Sequence, residues 1–109
     1  MIKAILLSGG YEVLTAIDGA DALETARAEM PDLILLDVML PKLDGYRVCR
    51  LLKFDQKYKA IPIIMLTAKS EEQAMATGIR TGANQYLTKP IEPERLLSAV
   101  AEELAKVQS

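Results

Sequence analysis

At 109 residues, 50% hydrophobic and 26% charged, the chain suits one domain, 1–109, with one core and an ordinary globular composition. Its net charge of −2 recruits neither nucleic acid nor an anionic membrane, and it has no apolar run near the roughly 20 residues of a membrane span and no secretory-signal layout. Histidine is absent, which excludes Ser-His-Asp and Cys-His catalysis and the usual zinc sites, and the lone Cys49 cannot form an internal disulfide, so a reducing cytoplasm is expected.

Tyr11–Ile17 (YEVLTAI) is β-rich and alternates, which predicts a strand broken by Asp18 and Gly19. Ala20–Met30 places Ala22, Leu23, Ala26 and Met30 at helical spacing and ends at Pro31. Leu33–Asp37 is a short, wholly apolar strand closed by an acid, the pattern of a parallel sheet covered on both faces. Pro41–Gly45 (PKLDG) is a loop in which Asp44 can cap a helix running from Tyr46 to about Phe54. Cys49 lies there among Val48, Leu51 and Leu52 and reads as a small core residue rather than a reactive thiol.

Ile61–Leu66, entered through Pro62, is another apolar strand. Ser70 caps a helix that Gly82 ends, with Glu71, Glu72 and Gln73 in its first turn. A brief strand over Gln85–Thr88 precedes Lys89-Pro90. Pro93 then opens a last helix whose buried stripe is Leu96, Leu97, Val100 and Leu104. Strands alternating with helices predict an α/β fold with a parallel sheet.

In such a sheet a ligand sits beyond the C-terminal ends of the strands. Asp37, Thr67 and Lys89 end successive predicted strands. Neighbouring strands would bring all three to one crevice. A carboxylate, a hydroxyl and an ammonium there suit phosphoryl transfer to an acid, with the carboxylate as nucleophile and the cation stabilising the phosphoryl oxygens. Singly, each has a plainer reading as a turn residue, a loop start or a solvated charge. With no histidine and one cysteine, a metal here would be held by oxygen, which points to magnesium or calcium.

The segments YEVLTAIDGADAL, PDLILLDVMLPKLDGYRVCRLLK, IPIIMLTAKSEE and TGANQYLTKPIEPERLL resemble the receiver domains of two-component response regulators over nearly the whole chain from Gly10 onward. The resemblance implies a flavodoxin-like, CheY-like doubly wound parallel sheet, of strand order 2-1-3-4-5, with four strands recognisable here. It makes Asp37 the phosphoacceptor and Met39 the residue whose backbone carbonyl ligates Mg2+. It makes Thr67 and Tyr86 the switch pair, Lys89 the lysine that contacts the phosphoryl group, and Lys89–Pro90 a cis bond. The implied partners are a histidine kinase or phosphotransfer protein and a downstream effector protein. The implied output face is the helix after Ser70, the Gln85 strand and the last helix, often a homodimer surface. Asn84 and Gln85 stand where acids are common in the family, a change expected to affect partner choice.

One departure matters. Family members begin with an apolar strand ending in two adjacent acids that help hold magnesium, followed by a full first helix. Here Ile2–Ser8 resembles the tail of that helix, with Gly9 or Gly10 as its C-cap. The alternative makes IKAILL a strand and Ser-Gly-Gly a hairpin turn. The spacing of Ile2, Ile5 and Leu6 favours the helix.

The missing strand would have buried about five apolar residues, a loss of roughly 10 kcal/mol. Three outcomes are open: the first two strands close up, a neighbouring chain covers the gap by swapping, or the sequence is a piece of a longer receiver. Asp18 could replace an acid only if the sheet closed up; a helix-capping role fits it better. Magnesium binding is therefore expected to be weak or lost and phosphorylation impaired.

The leading reading is a cytoplasmic phosphorelay switch with no enzyme activity of its own and no direct nucleic-acid or membrane contact. The alternative is a pseudo-receiver, a phosphate-independent interaction module. A flavodoxin-like cofactor binder is disfavoured, because no Gly-rich phosphate loop follows any strand.

Overall fold

The computed structural model of the protein describes residues 2–37, 45–68 and 83–108, with the backbone alone at 67, 68, 107 and 108. The first helix, α1 (Ile2–Ser8), ends in a Schellman cap. Gly10 N–H donates to Leu7 O at 3.1 Å, Tyr11 N–H donates to Leu6 O at 3.2 Å, and Gly10 takes a φ of 90°. The favoured helix at the N-terminus is thus the one that forms, and its capping glycine is Gly10.

The second helix, α2 (Gly19–Glu29), starts at Asp18, whose Oδ1 accepts from Asp21 N–H at 2.8 Å. The Asp21 carboxylate reaches back to Ile17 N–H at 3.0 Å, so the two acids cap the helix reciprocally. Met30 closes it in the left-handed region at φ 47°, donating to Ala26 O, and Pro31 follows.

Strand β1 (Ile34–Asp37), helix α3 (Gly45–Lys53), strands β2 (Ile63–Ala68) and β3 (Gln85–Lys89), and helix α4 (Pro93–Gln108) complete the described elements. The three strands form one parallel sheet in the order β1-β2-β3. β2 begins two residues later than its apolar run predicts. Pro62 has no N–H to give a ladder, and Ile61 N–H is spent on Tyr58 O at 3.0 Å; Pro62 O instead accepts from Ile34 N–H at 2.9 Å.

Helices cover both faces, as expected of a doubly wound fold. On one face Ala26, Val48, Cys49 and Leu52 from α2 and α3 pack on Leu36, Ile63 and Met65. On the other, α1 and α4 pack on Ile64, Leu66 and Leu87 through Ile5, Leu6, Leu96 and Val100. Cys49 lies wholly inside the first cluster.

The sequence reading needs one correction. Four strands were expected, but three form among the described residues, and Tyr11–Ile17 is neither strand nor helix. A strand exists only in a ladder, and a groove separates this segment from β1. Leu14 and Ile17 accordingly remain 55% and 83% exposed. The first two expected strands therefore do not close up. Of the expected Pro41–Gly45 loop, residues 41–44 lie outside the described residues and Gly45 already begins α3; the expected helix between Ser70 and Gly82 also lies outside them.

Candidate functional site

The parallel ladder brings the strand ends to one edge. In register, Asp37 stands opposite Leu66 on β2, while Thr67 and Ala68 stand opposite Thr88 and Lys89 on β3. Asp37 and Lys89 thus flank the end of β2. The Lys89 Nζ reaches across it and donates to Asp37 Oδ2 as an ion pair. The Asp37 side chain is 32% exposed and that of Lys89 42%. An acid that would be costly inside an apolar run therefore has a cation beside it and access to solvent.

Of the other expected site residues, Tyr86 packs toward the cluster formed with α2 and α3, and the Lys89–Pro90 bond is cis. Thr67 has its backbone at the end of β2, between the strands bearing Asp37 and Lys89. Its hydroxyl lies outside the described residues, as does all of Met39. Asp18 is engaged as the α2 cap and is 6% exposed.

Asn84 and Gln85 have internal partners. Asn84 pairs with Ile63 through both its backbone N–H, at 2.8 Å, and its side-chain oxygen, at 3.0 Å. Gln85 Nε2 donates to the buried Glu103 at 2.5 Å.

Glu103 was not singled out in the sequence. It is 2% exposed on α4 and also accepts from Lys106 Nζ at 3.2 Å. Burial alone would push its carboxyl up. The hydrogen bonds from Gln85 and Lys106 and the charges of Lys106 and Lys53 outweigh this and hold it below the usual carboxylate range. Its three-and-four spacing from Val100 and Ala99 was the available signal.

Magnesium requires octahedral oxygen donors. Among the described residues no three acids, cysteines or histidines group together, and an oxygen of Asp37 is held by Lys89. Of the donors expected for magnesium, Asp37 is among the described residues and the Met39 carbonyl is not. Also among the described residues, no helix is long and apolar enough to cross a membrane.

A parallel sheet wound on both faces, with an acid and a lysine meeting at its C-terminal edge, defines a domain of the receiver class. The family model described as response regulator receiver domain matches residues 1–101, and the chain belongs to that family. It is 52% identical over 100 residues to the alkaline phosphatase synthesis transcriptional regulatory protein PhoP of Bacillus subtilis, covering 92% of this chain and 41% of that protein. The chain thus spans less than half the length of this and other curated relatives.

Among solved structures, a response regulator from Chloroflexus aurantiacus superposes with a TM-score of 0.92 at 40% identity, over 96% of this chain and 86% of that one. The receiver domain of sensor histidine kinase PA1611 from Pseudomonas aeruginosa, solved with magnesium in its active-site cleft, gives 0.87 at 34% identity, over 95% and 85%.

Proposed function

We propose that the chain is a phosphorelay receiver that accepts a phosphoryl group on Asp37, slowly, and uses it to switch a protein-interaction surface. The observation that supports this reading most is the Lys89 ammonium against the Asp37 carboxylate at the C-terminal edge of the sheet. An Asp37 oxygen forms the new P–O bond while the P–N bond of a donor phosphohistidine breaks. The electron pair stays with the donor imidazole, which takes up a proton. Lys89 then neutralises the phosphoryl oxygens instead of the carboxylate, and the Thr67 hydroxyl bonds one of them.

Thr67 and Tyr86 pass the change to the output face as a shift between two pre-existing arrangements. The donor is a histidine kinase or phosphotransfer protein and the receiver of the signal is an effector protein or a second copy of the chain, all in the cytoplasm. The domain comprises residues 1–109 and catalyses nothing further. The magnesium seen in the PA1611 neighbour carries over only as weak binding, because the described donors are too few.

Acetyl phosphate labelling read by intact mass, with and without magnesium, tests this. The expected result is slow, partial gain of one phosphoryl group that depends little on magnesium and vanishes in Asp37→Asn. Labelling that survives Asp37→Asn would overturn the assigned acceptor. Fast, complete, magnesium-dependent labelling would overturn the impairment. No labelling, with partner binding equal in wild type and Asp37→Asn, would favour the phosphate-independent module.

A further inference from the structure

Helix α3 and the turn after it carry charge of one sign. Residues 45–60 hold five basic residues and one acid, in a chain whose net charge is −2. Val48, Cys49 and Leu52 face inward, fully buried, and hold α3 to the sheet. The helical period then gathers Arg47, Arg50, Leu51 and Phe54 on the opposite side, at spacings of three and four. Phe54 extends the last turn, its N–H donating to Arg50 O at 3.0 Å. All four are exposed, Leu51 by 43% and Phe54 by 69%.

A solvated helix face is normally polar, and this one places a leucine and a phenylalanine side by side. The chain beyond them is held in place by its own hydrogen bonds. Lys53 Nζ turns back to donate to Lys59 O at 3.1 Å and Ile61 O at 2.8 Å. Asp55 Oδ1 accepts from Lys57 N–H at 2.8 Å, and the Lys57 ammonium lies 5.5 Å from the centroid of the Tyr58 ring. The one acid of the segment therefore serves a turn. Among the described residues, no acid forms an ion pair with Arg50 or Lys57. The result is a preformed apolar pair with a cation on either side, a surface that needs little ordering to bind.

We propose that the exposed face of α3 docks an acidic amphipathic helix of a partner protein. The apolar stripe of that helix covers Leu51 and Phe54, and acids on its flanks meet Arg50 and Lys57. From Arg47 to Phe54 the face rises about 10 Å, so roughly three turns of partner helix span it together with Lys57. Charge selects this occupant. A second copy docked face to face about a twofold axis would set Arg50 and Lys57 against their own like charges. A nucleic acid would match the cations but leave Leu51 in water. The face lies at the end of α3 that leads to the start of β2, whereas Asp37 and Lys89 lie where their strands end. Docking there does not depend on the phosphoacceptor reading.

The probe is a synthetic helix, acetyl-Ser-Glu-Glu-Leu-Glu-Ala-Leu-Leu-Glu-Ala-Leu-Glu-Ala-Ala-amide, added to the full chain and followed by calorimetry and amide chemical shifts. One control replaces every glutamate with glutamine, and another replaces every leucine with serine. Saturable one-to-one binding is expected, with shifts centred on residues 47–58 and weakening in high salt. Each control should bind about tenfold more weakly or worse. The double variant Leu51→Ala, Phe54→Ala should lose binding by a similar factor and keep the wild-type circular dichroism, because both side chains stand largely in solvent. Asp37→Asn should bind as wild type does, so failed phosphoryl acceptance would leave this result standing. No binding, equal binding by the double variant or by the glutamine control, or shifts centred on another surface would overturn the proposal. So would tighter binding of oligouridylate than of the helix, or a dimer in sedimentation that the double variant abolishes, since the occupant would then be a nucleic acid or a second copy.

Discussion

Asp37 and Glu103 are both acids in apolar surroundings, and they differ in how far the sequence exposes their purpose. Asp37 was legible because it ends a strand, and strand ends in a parallel sheet share one edge; Lys89 ends another and meets it there. Glu103 was not legible because a glutamate on a helix reads as solvated, while its partners Gln85 and Lys53 come from other elements. Its folded carboxyl is held below the ordinary range, so it contributes stability fully above the unfolded value of about 4.3. That contribution is lost as pH falls through the lower folded value. Glu103→Gln keeps the size but removes the charge from the hydrogen bonds to Gln85 and Lys106, and should cost about 2 kcal/mol at pH 7. Urea unfolding of both proteins at several pH values checks this. The difference should narrow toward acid, and a difference that widens there would contradict the sign.

At the level of elements, local chemistry decided most boundaries, and pairing decided the one that failed. Asp18 starts a helix by its side-chain oxygen, and Pro31 and Gly10 each end one by a backbone property, all of them written in the residue type itself. Tyr11–Ile17 has the composition of a strand, but β propensity expresses a fit to neighbouring strands, and among the described residues neither of its edges pairs with one.

α1 shows how much such a short element leans on its cap and its packing. Seven residues are too few to hold a helix alone. Ile2, Ile5 and Leu6 lie against the α4 side of the core, and the cap directs the chain back at Gly10. Gly10→Ala forces a Cβ into the left-handed region and should destabilise the protein by about 1–2 kcal/mol. Gly9→Ala is expected to cost less. Its Cβ would come within 2.8 Å of a Leu97 methyl, which is the movable end of a side chain, and Gly9 is not in the left-handed region. Denaturant midpoints of the two variants give the comparison, and equal losses would argue against a strained cap.

Over the whole molecule, the sheet is secured on one side and open on the other. β2 is bonded to strands on both edges and buried on both faces, with Ile63 and Met65 in one cluster and Ile64 and Leu66 in the other. β1 has the same two covers but one ladder, and beyond the groove the Glu12–Ala16 stretch has covers on neither count. Local opening should follow that gradient, because an amide exchanges by the cheapest fluctuation that frees it. The amides of Ile64 and Leu66 should exchange slowest, at rates set by global unfolding. Ile34 and Leu36 should exchange faster, through loss of the β1 ladder alone, and Leu35 and Val13 faster still, near the rate of an unstructured chain. Native-state exchange across a series of low denaturant concentrations separates these classes by how steeply each rate rises. Val13 protected as strongly as Ile64 would mean that the Tyr11–Ile17 stretch is already paired in solution.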